Sequence, residues 1–262
     1  MQLKYLLGCM LMAPILPLMY VQGKRIRSSV PTLPEAKGSK GYVDIKAEKD
    51  FNTLLIGEST ISGVGVNTHE EGFAGSFSAQ LAELTHTNIR WRVYAKSGYT
   101  AQDVHDKIVP KIKEAHADLI VIGLGGNDAF GLNSPNKWEK SIHKLIQSLR
   151  VKHPSSPIIF TNMPPIKEFP AFTPLIKFSI GNLVEMLGTQ LEKMVHKMDN
   201  VYYHSMKITL KEWNERLGIE ANPSYYFSDG VHPSKETYQV WGSEFAKFVN
   251  SLGFLDSRNI SD

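Results

Sequence analysis

From Phe51 onward, short apolar runs alternate with stretches of helical periodicity, and this alternation restricts the possible folds more than any other feature of the chain. The runs TLLIG (53–57), IRWRVYA (89–95), DLIVIGLG (118–125), PIIFTN (157–162) and VYYH (201–204) have the length and composition of strands. Helical spacing covers 74–86, 101–116, 135–152, 175–198 and 234–252. Two helix starts carry their own signals. Ser134 precedes Pro135, a capping residue before proline at the first helical position, and Thr100 has Asp103 three residues on, an approximate capping box. Strands separated by helices pair in parallel through right-handed crossovers, so the expectation is an α/β fold with a five-stranded parallel sheet covered on both faces. Such sheets hold ligands beyond the carboxyl ends of their strands, near the point where strand order reverses. The residues that carry chemistry are therefore expected just after each apolar run.

Gly57, Glu58 and Ser59 follow the first run, KSGYT with Gly98 follows the second, and Gly125, Gly126, Asn127 and Asp128 follow the third. Further on, SDGVHP brings Asp229 and His232 in front of the last helix. An acyl-transfer site needs a nucleophile, a base, a group that orients the base, and donors for the oxyanion. Ser59 suits the first role and His232 the second; Asp229, three residues earlier, can bond the other ring nitrogen and fix the tautomer. The Ser59 N–H, the Gly98 N–H and the Asn127 side-chain amide are the candidate oxyanion donors, and a side chain at 98 would keep the oxyanion from its amide. Each residue also has an ordinary reading. Ser59 could cap a turn, His232 could bond a backbone carbonyl, and Asn127-Asp128 could be turn chemistry. Their joint occurrence at successive strand ends favours a catalytic site.

These blocks resemble the SGNH (GDSL-type) hydrolase superfamily, whose members carry a Ser in a Gly-Asp-Ser block, a Gly, an Asn in a Gly-x-Asn-Asp block, and an Asp-x-x-His near the C-terminus. Ser59, Gly98, Asn127, Asp229 and His232 match these in order, and TNMPP (161–165) is similar to the family's fourth strand end. The resemblance spans about 51–252 and implies a three-layer α/β/α sandwich of flavodoxin-like layout, ester hydrolysis through an acyl-enzyme on Ser59, and no cofactor. Its one departure is Glu58, where the family has Asp; the extra methylene changes which backbone groups the carboxylate can reach. The same machinery would serve an acyltransferase or a carbohydrate deacetylase, so the substrate is an acyl ester of a small molecule, lipid or glycan. A non-enzymatic module, with GESTISGVG cradling a phosphate or flavin at a helix N-terminus, would leave Asp229 and His232 without a role.

No histidine pair has the spacing, with an added acid, that metal binding favours, so no metal is expected. His69-Glu70-Glu71, in the long loop after Ser59, could line the site but reads rather as a solvated loop, and 175–198 reads as core contact plus one wall of an acyl pocket. The formal charge of +3 resides at the N-terminus: residues 1–50 hold eight Lys/Arg against four Asp/Glu, leaving 21 against 22 for the rest. The globular part thus offers no electrostatic footprint for nucleic acid, and a monomer is expected.

Residues 5–21 are free of charge and would reach roughly 25 Å as a helix, enough for a membrane anchor. MYVQGKRIR lacks the small residues of a signal-peptidase site, which favours an uncleaved segment over a signal peptide. Cys9, the one cysteine, lies within the run; LLGC resembles a lipoprotein box but stands before most of the apolar residues, so a plain apolar cysteine is the reading. This leader, followed by QGKRIRSSVPTLPEA, also resembles a bacterial subgroup with an N-terminal anchor. Lys24, Arg25 and Arg27 after the run place the domain on the cytoplasmic side by the positive-inside rule, with a periplasmic or secreted placement as the alternative. The expected organisation is an apolar segment at 1–23, a basic Pro/Ser/Gly linker at 24–50, the hydrolase domain at 51–254 and a tail at 255–262.

Overall fold

The computed structural model describes residues 2–253, so the tail at 255–262 and the last residue of the 51–254 domain lie outside the described residues. The chain opens with α1 (Gln2–Met12), a 3-10 turn and α2 (Leu16–Ser29), continuous as one helix over Leu3–Ser29. There follow β1 (Lys40–Val43), β2 (Asp50–Gly57), α3 (Phe73–Thr85), β3 (Asn88–Ala95) and the short α4 (Ala101–Asp103), which continues as π and 3-10 turns to Lys111. Next come β4 (Leu119–Gly123), α5 (Gly126–Phe130), α6 (Pro135–Lys152), β5 (Ile158–Phe160) and α7 (Pro174–Val195). The rest of the chain forms β6 (Val201–Tyr203), α8 (Leu210–Leu217), α9 (Pro223–Tyr226) and α10 (Lys235–Ser251). Both signalled helix starts are capped: the Thr100 N–H donates to Asp103 Oδ2 and the Asp103 N–H to Thr100 Oγ1, and Ser134 Oγ accepts from the Lys137 N–H at 3.2 Å.

One six-stranded mixed sheet, in the order β1-β3-β2-β4-β5-β6, lies between layers of helices. β2 to β6 are parallel, as the alternation requires, but β1 pairs antiparallel with β3 from Lys40 opposite Arg92 to Val43 opposite Ile89. The sheet is therefore not five-stranded and wholly parallel, and the additional strand comes from the stretch read as a linker. The reason is local: KGYV is a short edge strand with no buried residue, so it has no apolar run to signal it. Its Gly41 lies flat on the Trp91 ring, where a Cβ would be 2.2 Å from a ring carbon.

On one side α3 and α10 interlock through aromatic rings, with Phe73 4.4 Å from Trp241 and Phe77 5.4 Å from Phe245 between centroids. α6 packs against α7. Every residue of β4 is buried, as are the last five of β2, which is why both read as unbroken apolar runs. From β2 the chain moves first to β3 on one side and then to β4 on the other. The crevice beyond the carboxyl ends of β2 and β4 is thus where strand order reverses.

Leu55 at the centre of β2 is fully buried. Leu55→Ala is expected to lower the unfolding free energy by about 2–5 kcal/mol, read from urea denaturation; an unchanged midpoint would contradict its place in the core.

Candidate active site

The serine loop starts where the sheet ends. The Glu58 N–H donates to the Gly123 carbonyl at 3.0 Å, extending the ladder by one residue, and Ser59 is the first residue beyond it. The chain then coils tightly, with the Ser62 N–H on the Glu58 carbonyl at 2.9 Å and the Val64 N–H on the Ser59 carbonyl at 3.1 Å. From α10, the Tyr238 hydroxyl donates to the Val64 carbonyl at 2.8 Å. Gly65 has a φ of +107°, and a Cβ there would be 2.3 Å from the Pro233 carbonyl oxygen. Only glycine lets the serine loop lie against the turn that carries His232. Ser228 Oγ closes the contact on the Gly65 carbonyl at 3.1 Å.

That turn is organised by Asp229, whose side chain is fully buried. Oδ1 accepts from the Val231 and His232 N–H groups at 2.9 and 2.7 Å, and Oδ2 lies 2.7 Å from His232 Nδ1. Burial raises the pKa of this carboxyl, but the bonds from the His232 ring, the His232 N–H and the Val231 N–H outweigh it, and the pKa is held below the usual carboxylate value. The ionised Asp229 can only accept, so Nδ1 carries the ring proton and Nε2 keeps a lone pair. Nε2 has no partner among the described residues.

Glu58 does not turn toward Ser59. Its buried carboxylate crosses the crevice, where Oε1 accepts from the Gly126 N–H at 2.8 Å and Oε2 from the Asn127 N–H at 2.9 Å, the first two amides of α5. Desolvation pushes its pKa up to about 7; the Asn127 and Gly126 amides oppose that shift, and the neighbouring Asp128 charge adds to it. Asn127 Nδ2 donates one hydrogen to the Tyr99 carbonyl at 3.0 Å, which orients the amide and leaves a second hydrogen. Asp128, also buried, accepts from the Ala101 N–H at 2.8 Å and from Asn133 Nδ2 at 2.7 Å, joining α5 to the start of α4. Gly98 has a φ of +83°, and a Cβ there would meet no protein atom within 4 Å, because the space beside it is cavity. Its backbone conformation favours glycine; protein crowding does not demand it. The N–H groups of Ser59 and Gly98 have no acceptor among the described residues.

Ser59, Gly98, Asn127 and His232 line one cavity of about 1190 Å³, and Asp229 is buried behind His232. Ile176 and Ile180 of α7 form part of its wall, as the sequence suggested, but so do Met19 and Ile26 of α2, which the sequence did not suggest. The clamp of Glu58 on Asn127 was also not anticipated; the extra methylene marked the position without saying what the carboxylate reaches. His69 is buried beside Trp91, not solvated, and Glu71 pairs with Lys235 at 3.0 Å. Among the described residues no three His, Cys, Asp or Glu side chains group as metal ligands.

The profile of the GDSL-like lipase/acylhydrolase family matches residues 55–240. No curated protein matches the sequence. Among solved structures, a GDSL-like lipase from Parabacteroides merdae aligns over 78% of this chain and 97% of its own, with a TM-score of 0.62 at 17% identity. A lipolytic G-D-S-L family member from Veillonella parvula aligns over 76% and 97%, with a TM-score of 0.55 at 16% identity. A lipase/acylhydrolase from Enterococcus faecalis aligns over 77% and 96%, with a TM-score of 0.53 at 16% identity. At these identities the likeness is one of fold.

Glu58 titrates higher in the folded chain than the ordinary value of 4.5, so the stability it contributes is full below pH 4.5 and lost as pH rises through about 7. Gln at this position does not titrate. The stability of wild type relative to Glu58→Gln, from urea denaturation, is therefore expected to decline between pH 4.5 and pH 7; a difference independent of pH would contradict the burial of this charge.

Proposed function

The chain belongs to the GDSL-like lipase/acylhydrolase family, and we propose that within it this protein is a serine esterase that forms an acyl-enzyme on Ser59. The observation that carries the reading is His232, fixed by a buried, ionised Asp229 at 2.7 Å and presenting an unbonded Nε2 on the cavity that Ser59 lines. In the reaction, Ser59 Oγ attacks the ester carbonyl carbon while its proton passes to His232 Nε2. The negative charge that develops on the carbonyl oxygen is met by the Ser59 N–H, the Gly98 N–H and the remaining Asn127 Nδ2 hydrogen, none of which has an acceptor among the described residues. Collapse of the tetrahedral adduct breaks the bond to the alcohol, which leaves with the proton from His232. Water, deprotonated by the same nitrogen, then attacks the acyl-enzyme and releases the acid.

The N-terminal helix is long and apolar enough to hold the protein at a membrane, with a mean hydropathy of 1.6 over its most apolar window. For a helix that crosses the bilayer, Lys24, Arg25 and Arg27 at its end would place the domain on the cytoplasmic face.

Hydrolysis of p-nitrophenyl butyrate tests the proposed roles. Ser59→Ala and His232→Ala are each expected to lower kcat about a thousand-fold or more, and the double variant should be no slower than either, because the two residues act as a unit. Equal rates for wild type and Ser59→Ala would sink the assignment.

A further inference from the structure

On the N-terminal helix, the residues shielded from solvent are Tyr5, Met12, Ile15, Met19, Gln22 and Ile26, at intervals of seven, three, four, three and four, which is one helical face. Two hydrogen bonds hold that face to the domain near its opposite ends. The Tyr5 hydroxyl donates to the Leu132 carbonyl at 3.3 Å, and Gln22 Oε1 accepts from Thr173 Oγ1 at 2.7 Å, beside the first turn of α7. These anchors are about 25 Å apart along the axis at ~1.5 Å per residue. The helix therefore runs alongside the domain over most of its length, which is incompatible with crossing a bilayer while staying docked. Its outer face remains apolar and exposed, with Leu3, Leu7, Leu11, Leu18 and Val21 all uncovered. An apolar outer face and cations clustered at one end suit a helix lying in the plane of a membrane surface.

This docked helix borders the cavity that holds Ser59 and His232. Met19 and Ile26 of α2 line it together with Ile176 and Ile180 of α7. Lys24 and Arg27 line it as well, and neither is ion-paired among the described residues. At about 1190 Å³ the cavity exceeds the roughly 300–1,000 Å³ usual for small-molecule sites. A two-carbon acyl group would leave most of its apolar part unfilled, whereas a chain of many methylenes would gain favourable burial along its whole length.

We propose that α2 is the membrane-side wall of the acyl-binding site and that the substrate is a long-chain acyl ester of a membrane lipid. The chain is seated between Met19 and Ile26 of α2 and Ile176 and Ile180 of α7, and an anionic headgroup lies against Lys24 and Arg27. The proposal rests on the hydrolase reading above and adds to it that the N-terminal helix selects the substrate, besides holding the protein at the membrane.

The test compares kcat/KM for p-nitrophenyl palmitate and p-nitrophenyl acetate, using the full chain in vesicles of phosphatidylglycerol and phosphatidylcholine. Met19→Trp and Ile26→Trp fill the cavity from the helix side. Each is expected to lower the palmitate-to-acetate ratio about ten-fold or more, equivalent to excluding roughly two methylenes from burial. Leu18→Trp, on the outward face of the same helix, is expected to keep the wild-type ratio. An unchanged ratio in both cavity variants, an equal fall on both esters, or an equal shift in Leu18→Trp would overturn the proposal. Acetate hydrolysis that survives Ser59→Ala would instead overturn the hydrolase reading, whatever the ratio.

Discussion

The buried carboxylate of Glu58 binds the carboxyl end of β2 to the start of α5 beyond β4, across the point where strand order reverses. A carboxylate removed from water is costly unless hydrogen-bonded, and here the compensation comes from two amides at a helix start, whose partial positive charge suits an anion. The compensation is incomplete, and burial still pushes the group up to about 7. The tie fixes the distance between the Ser59 loop and Asn127, because Glu58 directly precedes Ser59 and directly binds the Asn127 amide. A carboxyl with one methylene fewer would reach less far across the crevice. Glu in place of the family's Asp thus acts on the Asn127 wall of the cavity, and its carboxylate accepts no bond from the Ser59 hydroxyl among the described residues.

A second connection brings in the candidate base. Gly65 lets the serine loop touch the Pro233 carbonyl, and Tyr238 and Ser228 hold it there. Asp229 then fixes the His232 ring from behind with its carboxylate fully buried. The nucleophile candidate, the base candidate and the candidate oxyanion donors come from loops far apart in sequence, and their relative placement follows from these few short contacts. A site held in this way is pre-organised, so little reorganisation is needed as charge develops on a substrate.

Much of this was legible in the sequence, for physical reasons that differ by element. β2 and β4 are buried on both faces and therefore read as continuous apolar runs, whereas β1, with no buried residue, left no such trace. α8 is only eight residues long and mostly charged or polar, with Leu210 and Trp213 alone buried, so it offers no apolar run to mark it, although Thr209 caps it as its side chain would suggest. Ser59, Gly98, Asn127 and His232 could be found because they follow apolar runs or precede the last helix, and they meet on one cavity. The partner of Glu58 could not be found, since it depends on a distance across the sheet. Nor could the docking face of the N-terminal helix, because a segment apolar all round hides which of its faces is covered.

The central claim is that Ser59, activated by His232, is the residue that becomes acylated. A fluorophosphonate probe reacts with an activated serine oxygen and leaves a stable adduct whose position can be read by mass spectrometry of proteolytic peptides. One adduct is expected, on the peptide containing Ser59, absent from Ser59→Ala and slowed by orders of magnitude in His232→Ala. An adduct on another serine, or labelling of Ser59 at the same rate without His232, would contradict the claim.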